Sequence, residues 1–484
     1  MEPFIMHGGA ADFTIAAGAL DILPARMSRH APTIVVIGGG FSGAAVASQL
    51  LRRQRPARIV LANRFGPIGR GVAYGTAIEA HVLNVPAGSM SALPHDADHF
   101  VRWARTRDDA IRADTFVSRR LYGQYLESLL GESEQAARMA RLERLVGVAR
   151  DVELAADGAS AEVVFAGARI RADRVVLALG NYSPSNPAAV GGEFYETERY
   201  VRDPWVRGAL DVVRPGESVL MLGTGLTMMD IALDLAARGV RLPLFAVSRH
   251  GLVPRSHVSR PAAADPDALP AGLAGPPRSV LRYLRLVRRQ IAARSEKGGD
   301  WRDVIAALRP VTPALWLALT QEERARFLRH LRPWWDVHRH RAAPGTAQAI
   351  EKLLVSGDLS VRAARLLGYR SVAGEVEVTL RPRGASEPVR IHVHRVVNCT
   401  GPSTDVRRLG DPLLDALVAR GLIQPDPLGL GLETAADGAV LEASGRHSRV
   451  LYLVGPLLKP NFWETTAVPE LRQHAARLAE RLLP

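Results

Sequence analysis

The chain has 484 residues, 47% hydrophobic and 23% charged, which is globular composition with length for two or three domains and ample buried core. The net charge is +13, yet only Lys297, Lys352 and Lys459 are lysines among 62 basic residues. The arginines are spread along the chain without a basic tail, so anionic cofactors or acidic substrates fit better than nucleic acid. The one cysteine, Cys399, excludes an internal disulfide and a Cys-x-x-Cys pair, and no apolar run reaches the roughly 18 residues of a membrane span.

Residues 1–30 carry Asp12 and Asp21 and lack a basic start leading into an apolar core. They read as an N-terminal extension, not a signal peptide, and the chain reads as cytoplasmic.

A β-branched run, Ile34-Val35-Val36-Ile37, then empties into glycines at G-x-G-x-x-G spacing: Gly38, Gly40 and Gly43, with Phe41 and Ser42 opening a helical apolar pattern. Strand, tight turn and helix start form a dinucleotide cradle. Gly38 permits the turn, Gly40 lets backbone approach a pyrophosphate, and Gly43 lets helix and strand pack closely. The second strand, 58–63, ends in Asn63 where a ribose-binding acid is usual. Its amide can still hydrogen-bond a ribose.

A long glycine-punctuated stretch follows, containing Gly71 (in G-R-G-V-A-Y-G, 69–75) and then Asn84 and Met90 (in 81–94). Its apolar content argues against disorder, and a loop of this length reads as functional or as a buried connector. Meander strands through 146–149 and 161–165 lead to 174–179, which stops at Gly180.

The pattern then recurs. Residues 218–222 run into Gly223, Gly225, Leu226 and Thr227, but Met228 replaces the third glycine, so helix and strand are expected to sit farther apart there. The next strand ends at Arg249, not at an acid. An arginine there accommodates the 2′-phosphate of NADP, and a solvated surface arginine is the alternative. A meander and the strand 391–400 close this half at Gly401. Cradle, helix, meander and strand–glycine thus occur twice, and two cradles imply two dinucleotides and hydride transfer between them.

An insertion, about 257–345, holds an Ala/Pro/Gly-rich linker (261–277) and helical segments at 280–293, 301–308 and 322–331. It reads as a cap carrying cations and aromatics towards a substrate, or as a structural cap or interface. His338 and His340 lack a carboxylate or thiol at helical ligand spacing, so no metal is expected. The C-terminal strand reaches Gly455, followed by Trp463, Glu464 and Thr465 before a final amphipathic helix. A helix start there suits the pyrimidine edge of a flavin. Trp463 and Glu464 read equally as substrate-facing groups or as a packed ring and a cap.

From about Thr33 to its end the chain resembles the two-dinucleotide-binding-domain flavoproteins, which include the flavin-containing and the N-hydroxylating (ornithine and lysine type) monooxygenases. It is most similar to a bacterial FAD/NAD(P)-binding family with G-R-G-V-A-Y-G and L-N-V-P-A-x-x-M-S, here 69–75 and 83–91. Cys399-Thr400-Gly401 resembles the Ala-Thr-Gly segment of monooxygenases.

The resemblance implies FAD at the first cradle and NADPH at the second. It implies an α/β fold of two Rossmann-like dinucleotide-binding domains with β-meanders and a helical insertion in the second. The expected division is 31–200 and 396–484 for FAD and 201–395 for NAD(P)H. It further implies a monooxygenase acting through a flavin hydroperoxide on a small nucleophilic substrate, an amine or amino acid, with O₂ as co-substrate. Asn84, Met90, Trp463 and Glu464 would lie at the flavin, and Arg339 or Arg341 would meet an anionic substrate. A reductase or dehydrogenase without oxygen insertion and a non-enzymatic redox sensor are the alternatives; a homo-oligomer is compatible with each.

Overall fold

The computed structural model describes residues 31–258 and 265–484, so the expected N-terminal extension and part of the 261–277 linker lie outside the described residues. Two sheets organise the rest. The six-stranded sheet runs Ala439–Leu441, His447–Leu453, Arg174–Leu177, Thr33–Ile37, Ala57–Asn63, Ala140–Val146. The seven-stranded sheet runs Val389–Val393, Glu375–Pro382, Leu359–Val372, Leu244–Ser248, Val219–Leu222, Arg395–Asn398, Tyr200–Val201. In each, the strand feeding a cradle lies between two parallel partners: Val35 pairs with Val60 and Val175, and Met221 with Ala246 and Val397. The chain leaves each cradle strand to one side and returns on the other, the switch point at which open α/β sheets bind ligands.

The β-branched runs explain why these are central strands. Ile34, Val36, Ile59 and Leu61 face one core while Val35, Ile37, Val60 and Ala62 face the other, with no member more than 6% exposed. Both faces are buried, as period-2 geometry requires for a parallel sheet covered on both sides. Each such side chain contributes roughly 1.5–3 kcal/mol of burial.

The second half departs from strict repetition. The first meander (Ala149–Leu154, Ala161–Phe165, Arg169–Ala172) is a separate three-stranded sheet. In the second, the 14-residue strand Leu359–Val372 pairs in parallel with Leu244–Ser248 and then antiparallel with Glu375–Pro382, shifting register between Leu366 and Gly368. At the borders expected at 200/201 and 395/396, Tyr200–Val201 and Arg395–Asn398 pair with each other inside the second sheet. A strand belongs to the sheet that satisfies its backbone, which composition does not reveal.

The insertion is closed at its neck by a bridge between Ser256 and Ala342. Its helices are Val280–Glu296, Trp301–Leu308, Thr312–Leu317, Gln321–His330 and Arg332–Arg339. Ser279, Asp300 and Thr320 cap three of them, each side chain accepting from a first-turn N–H. The insertion docks on the first half. Trp316 stacks on Trp463 at 4.7 Å between centroids and donates to the Pro460 carbonyl at 2.9 Å, and Arg309 forks onto Glu470. Separately, the half-buried Arg119 of the first half pairs with the buried Asp230 on the second cradle helix at 2.7 Å.

Candidate cofactor and substrate site

At the first cradle Gly38 has φ +114°, and a Cβ there would lie 2.2 Å from the Ala178 carbonyl oxygen. A Cβ on Gly43 would lie 1.8 Å from the Gly38 oxygen, so only glycine allows this packing. Gly40 begins the helix Phe41–Arg52 in extended conformation with no side-chain cap. Gly225 begins the helix Leu226–Ala237 in the same way (φ −82°, ψ −166°). The contrast with the capped insertion helices is informative. The N–H groups of the Phe41, Ser42, Leu226 and Thr227 turns are left to a ligand, in the arrangement that suits phosphate. Met228 is fully buried in the second core, and Gly223 takes φ +104° against the Cys399 carbonyl, where a Cβ would lie at 2.4 Å.

Asn63 donates its amide to the Phe65 and Gly66 carbonyls, both at 2.9 Å. Its Oδ1 is thereby turned towards Gly39, where a Cβ would meet it at 2.8 Å. The amide oxygen thus lies beside the cradle as a hydrogen-bond acceptor.

The G-R-G-V-A-Y-G run folds over the same cradle. Gly69 N–H donates to Gly39 at 2.7 Å, Gly71 (φ +54°) lies against Gly40, and Arg70 forks onto Glu127 at 2.9 and 2.8 Å. Gly455 (φ +109°) passes over the helix start, where a Cβ would lie 3.1 Å from the Ser42 hydroxyl. The fully buried Thr465 fixes that turn by donating to the Pro456 carbonyl at 3.3 Å. Gly180 (φ +70°) and Gly401 (φ +88°) end their strands in open space.

The structure brings the 84–90 loop, the 463–465 turn and the insertion together. His257 Nε2 lies 3.0 Å from the Asn84 carbonyl. Met90 is 3% exposed in the first core, and its carbonyl accepts from Tyr122 at 2.8 Å. Trp463, at φ +57°, is a packed ring between Trp316 and Phe327. Glu464 is 4% exposed and meets Arg339 at 2.9 Å, while its other oxygen, Oε1, is buried without a partner among the described residues.

Electrostatics here are dominated by cations. Burial first, then Arg341, pushes His257 down to about 4, which keeps it neutral. Burial and the neighbouring Arg302 and Arg339 lower Arg341 to about 10. Burial, then Arg332, lowers Lys459 to about 8.

Arg249 is exposed just past the strand Leu244–Ser248. Beside it, Arg383 Nη1 lies 3.3 Å from His250 Nδ1, a second cation that the sequence reading did not single out. Trp316, Lys459 and His257 were missed as site residues as well. For Lys459 a signal existed, since lysine is rare in this arginine-rich chain. Arg383 and Trp316 lie 133 and 144 residues from their partners, and no local pattern links them. Among the described residues no three His, Cys, Asp or Glu side chains converge on a metal position, and no helix is long and apolar enough to cross a membrane.

Residues 35–182 match the model of an FAD-NAD(P)-binding family. No curated protein sequence matches the chain. Among solved structures it is similar to L-lysine 6-monooxygenase of Pseudomonas syringae (TM-score 0.65, 15% identity, 94% of this chain and 99% of that one). It is similar also to the FAD-bound cadaverine monooxygenase of Erwinia amylovora (0.64, 15%, 94% of each). A third is the ornithine N-hydroxylase of Kutzneria sp. 744, described with reduced FAD, NADP⁺ and L-ornithine (0.62, 15%, 94% and 100%). Residues 35–182 thus carry an FAD-NAD(P)-binding domain, and the chain as a whole, with its two uncapped cradles and the loop folded across the first, has the fold of the N-hydroxylating flavin monooxygenases.

Proposed function

We propose that the protein is an FAD-dependent, NADPH-consuming monooxygenase that hydroxylates a small amine or amino acid. The observation that carries this reading is the insertion sealed onto the flavin-side turn by Trp316 on Trp463 and Arg339 on Glu464. Such a cap excludes water from a reacting centre, which oxygen insertion needs.

FAD, once reduced by NADPH, would supply the activation of O₂. The protein's part is to bind and orient. The Phe41 and Leu226 helix starts hold the two pyrophosphates, Asn63 Oδ1 accepts from the FAD ribose, and Arg249 with Arg383 receives the NADPH 2′-phosphate. In this division the segments around 31–199 and beyond 398 hold FAD, and the second sheet holds NADPH.

A dithiol relay of the reductase kind finds no support. Cys399 is 3% exposed beneath the second cradle, and burial pushes its thiol up. The reading carries with it a cytoplasmic location, where NADPH is supplied.

The test loads the protein with FAD and supplies NADPH and ¹⁸O₂ with a panel of amines and amino acids. One ¹⁸O atom in an N-hydroxylated product is the expected result. NADPH oxidised to hydrogen peroxide alone across the panel would favour the reductase, and no flavin reduction by NADPH or NADH would leave the sensor.

A further inference from the structure

Three tyrosines and a histidine that the cofactor site leaves unused form a line leading away from the first cradle. Phe41, the first residue of the cradle helix, lies 6.4 Å, centroid to centroid, from the ring of Tyr74 in the G-R-G-V-A-Y-G run. Tyr74 lies 4.7 Å from Tyr122, and Tyr122 lies 5.5 Å from Tyr125; the latter two are fully buried. Both belong to the helix Arg119–Ala136, three residues apart on one face. Tyr125 in turn reaches His99 and Trp103, which belong to the helix His99–Arg105.

The hydroxyls along this line differ. Tyr122 donates to the Met90 carbonyl at 2.8 Å, a group that does not take up its proton. The Tyr125 oxygen accepts from the Ala92 N–H at 3.2 Å, which leaves its own proton for His99 Nδ1 at 3.0 Å. The other ring nitrogen, Nε2, lies 3.5 Å from one Glu132 oxygen, and the second Glu132 oxygen accepts from Ser128 at 2.8 Å. These contacts assign the proton of the neutral ring to Nε2 and leave Nδ1 as a base. Burial, the largest cause, lowers His99, so the ring is uncharged at neutral pH.

A tyrosine gives up an electron readily only if its phenolic proton has somewhere to go, because the phenol radical cation is a very strong acid. Tyr125 meets that condition and Tyr122 does not. Trp103, 5.5 Å beyond, carries the Arg107 guanidinium 5.0 Å over its ring, and that charge opposes a radical cation there. An electron vacancy entering at the cradle therefore comes to rest at Tyr125.

We propose that Tyr74, Tyr122 and Tyr125 form a one-electron relay that draws oxidising equivalents away from the first cradle and holds them at Tyr125, with His99 as proton acceptor. The oxidant is an oxygen-centred radical formed when O₂ is reduced at the flavin. It takes one electron from the line and becomes its anion; Tyr125 becomes a neutral radical as its proton moves to His99 Nδ1. A thiolate from solution then returns one electron and leaves as a thiyl radical, and the proton goes back from His99 to Tyr125. The relay rests on FAD at the first cradle and requires no substrate.

The experiment flashes the FAD-loaded full chain with blue light in the absence of O₂, the excited flavin serving as the one-electron oxidant. Electron paramagnetic resonance records the radical. A neutral tyrosyl signal is expected in the wild type and its loss in both Y125F and Y122F. H99F is expected to slow formation of the signal by about 100-fold, as for removal of a positioned base, and deuterated water to slow the wild type but not H99F. Flavin content and Tm report whether each variant has folded. Where one has lost FAD, a soluble photosensitiser replaces the flavin as oxidant for Y125F, H99F and the wild type alike.

A signal that survives Y125F, or an H99F rate equal to that of the wild type, overturns the proposal and leaves the rings as core packing. Absence of a tyrosyl signal in the wild type overturns it as well. None of these outcomes touches the monooxygenase reading, because no amine is present, and failure to hydroxylate an amine leaves the relay standing.

Discussion

In the proposed reading single residues decide which cofactor each cradle accepts. On that reading Arg249 receives the 2′-phosphate of NADPH, and Arg383 lies close by, beside His250. Replacing Arg249 by Ala should raise the KM for NADPH by about 10- to 100-fold while changing that for NADH little, since only the 2′-phosphate contact is lost. Steady-state flavin reduction with the two nicotinamides checks this, and an equal effect on both would remove Arg249 from the phosphate site. Gly43 is the counterpart in the first cradle. Its Cβ would occupy space held by the Gly38 carbonyl, so Gly43→Ala must push helix from strand. Purified G43A protein should retain well under half the wild-type FAD by absorbance. Asn63 spends its donor on the local turn, which in the proposed reading leaves its acceptor for the FAD ribose.

At the scale of elements, the insertion matters through its docking. Trp316 is 3% exposed, stacks on Trp463 and donates to Pro460. Trp316→Ala should cost about 3–5 kcal/mol of stability if the cap unfolds with the rest, as for other large core truncations. In the working enzyme the same change should raise hydrogen peroxide released per NADPH consumed, because a loosened cap admits water. A variant that is less stable but no more leaky would make the cap structural only. The Arg119–Asp230 pair joins the two halves in the same long-range manner. Asp230→Asn, which removes the charge partner of a half-buried guanidinium still held by the Val82 carbonyl, should cost about 1–3 kcal/mol in chemical denaturation.

For the whole molecule, buried histidines set the acid limit. His81, His257, His340 and His474 are each pushed down to about 4, burial being the largest cause in every case. Unfolded, such groups bind protons near pH 6.5, so between about 6.5 and 4 the unfolded state holds more protons than the folded one. Stability therefore falls as pH drops through that window. Thermal melting should show Tm declining from about pH 6.5, before most carboxylates protonate. Replacing His474, which packs on Phe462 at 4.5 Å, by Gln should flatten the decline. A Tm flat down to pH 5 would contradict the histidine origin.

The sequence by itself determined the two cradles, their order and the α/β class. Those features are local: β-branched runs make central strands, and Gly38, Gly43 and Gly223 answer to backbone conformations that their own turns impose. The helical insertion was legible for the same reason, its segments at 301–308 and 322–331 corresponding to Trp301–Leu308 and Gln321–His330. Only the tertiary structure decided that Trp463 is a packed ring, that Glu464 belongs to Arg339, and that Arg341 is left without a partner among the described residues. Those outcomes depend on which surfaces meet after the insertion docks. Packing and charge pairing act between residues more than a hundred positions apart, where neither periodicity nor spacing carries information.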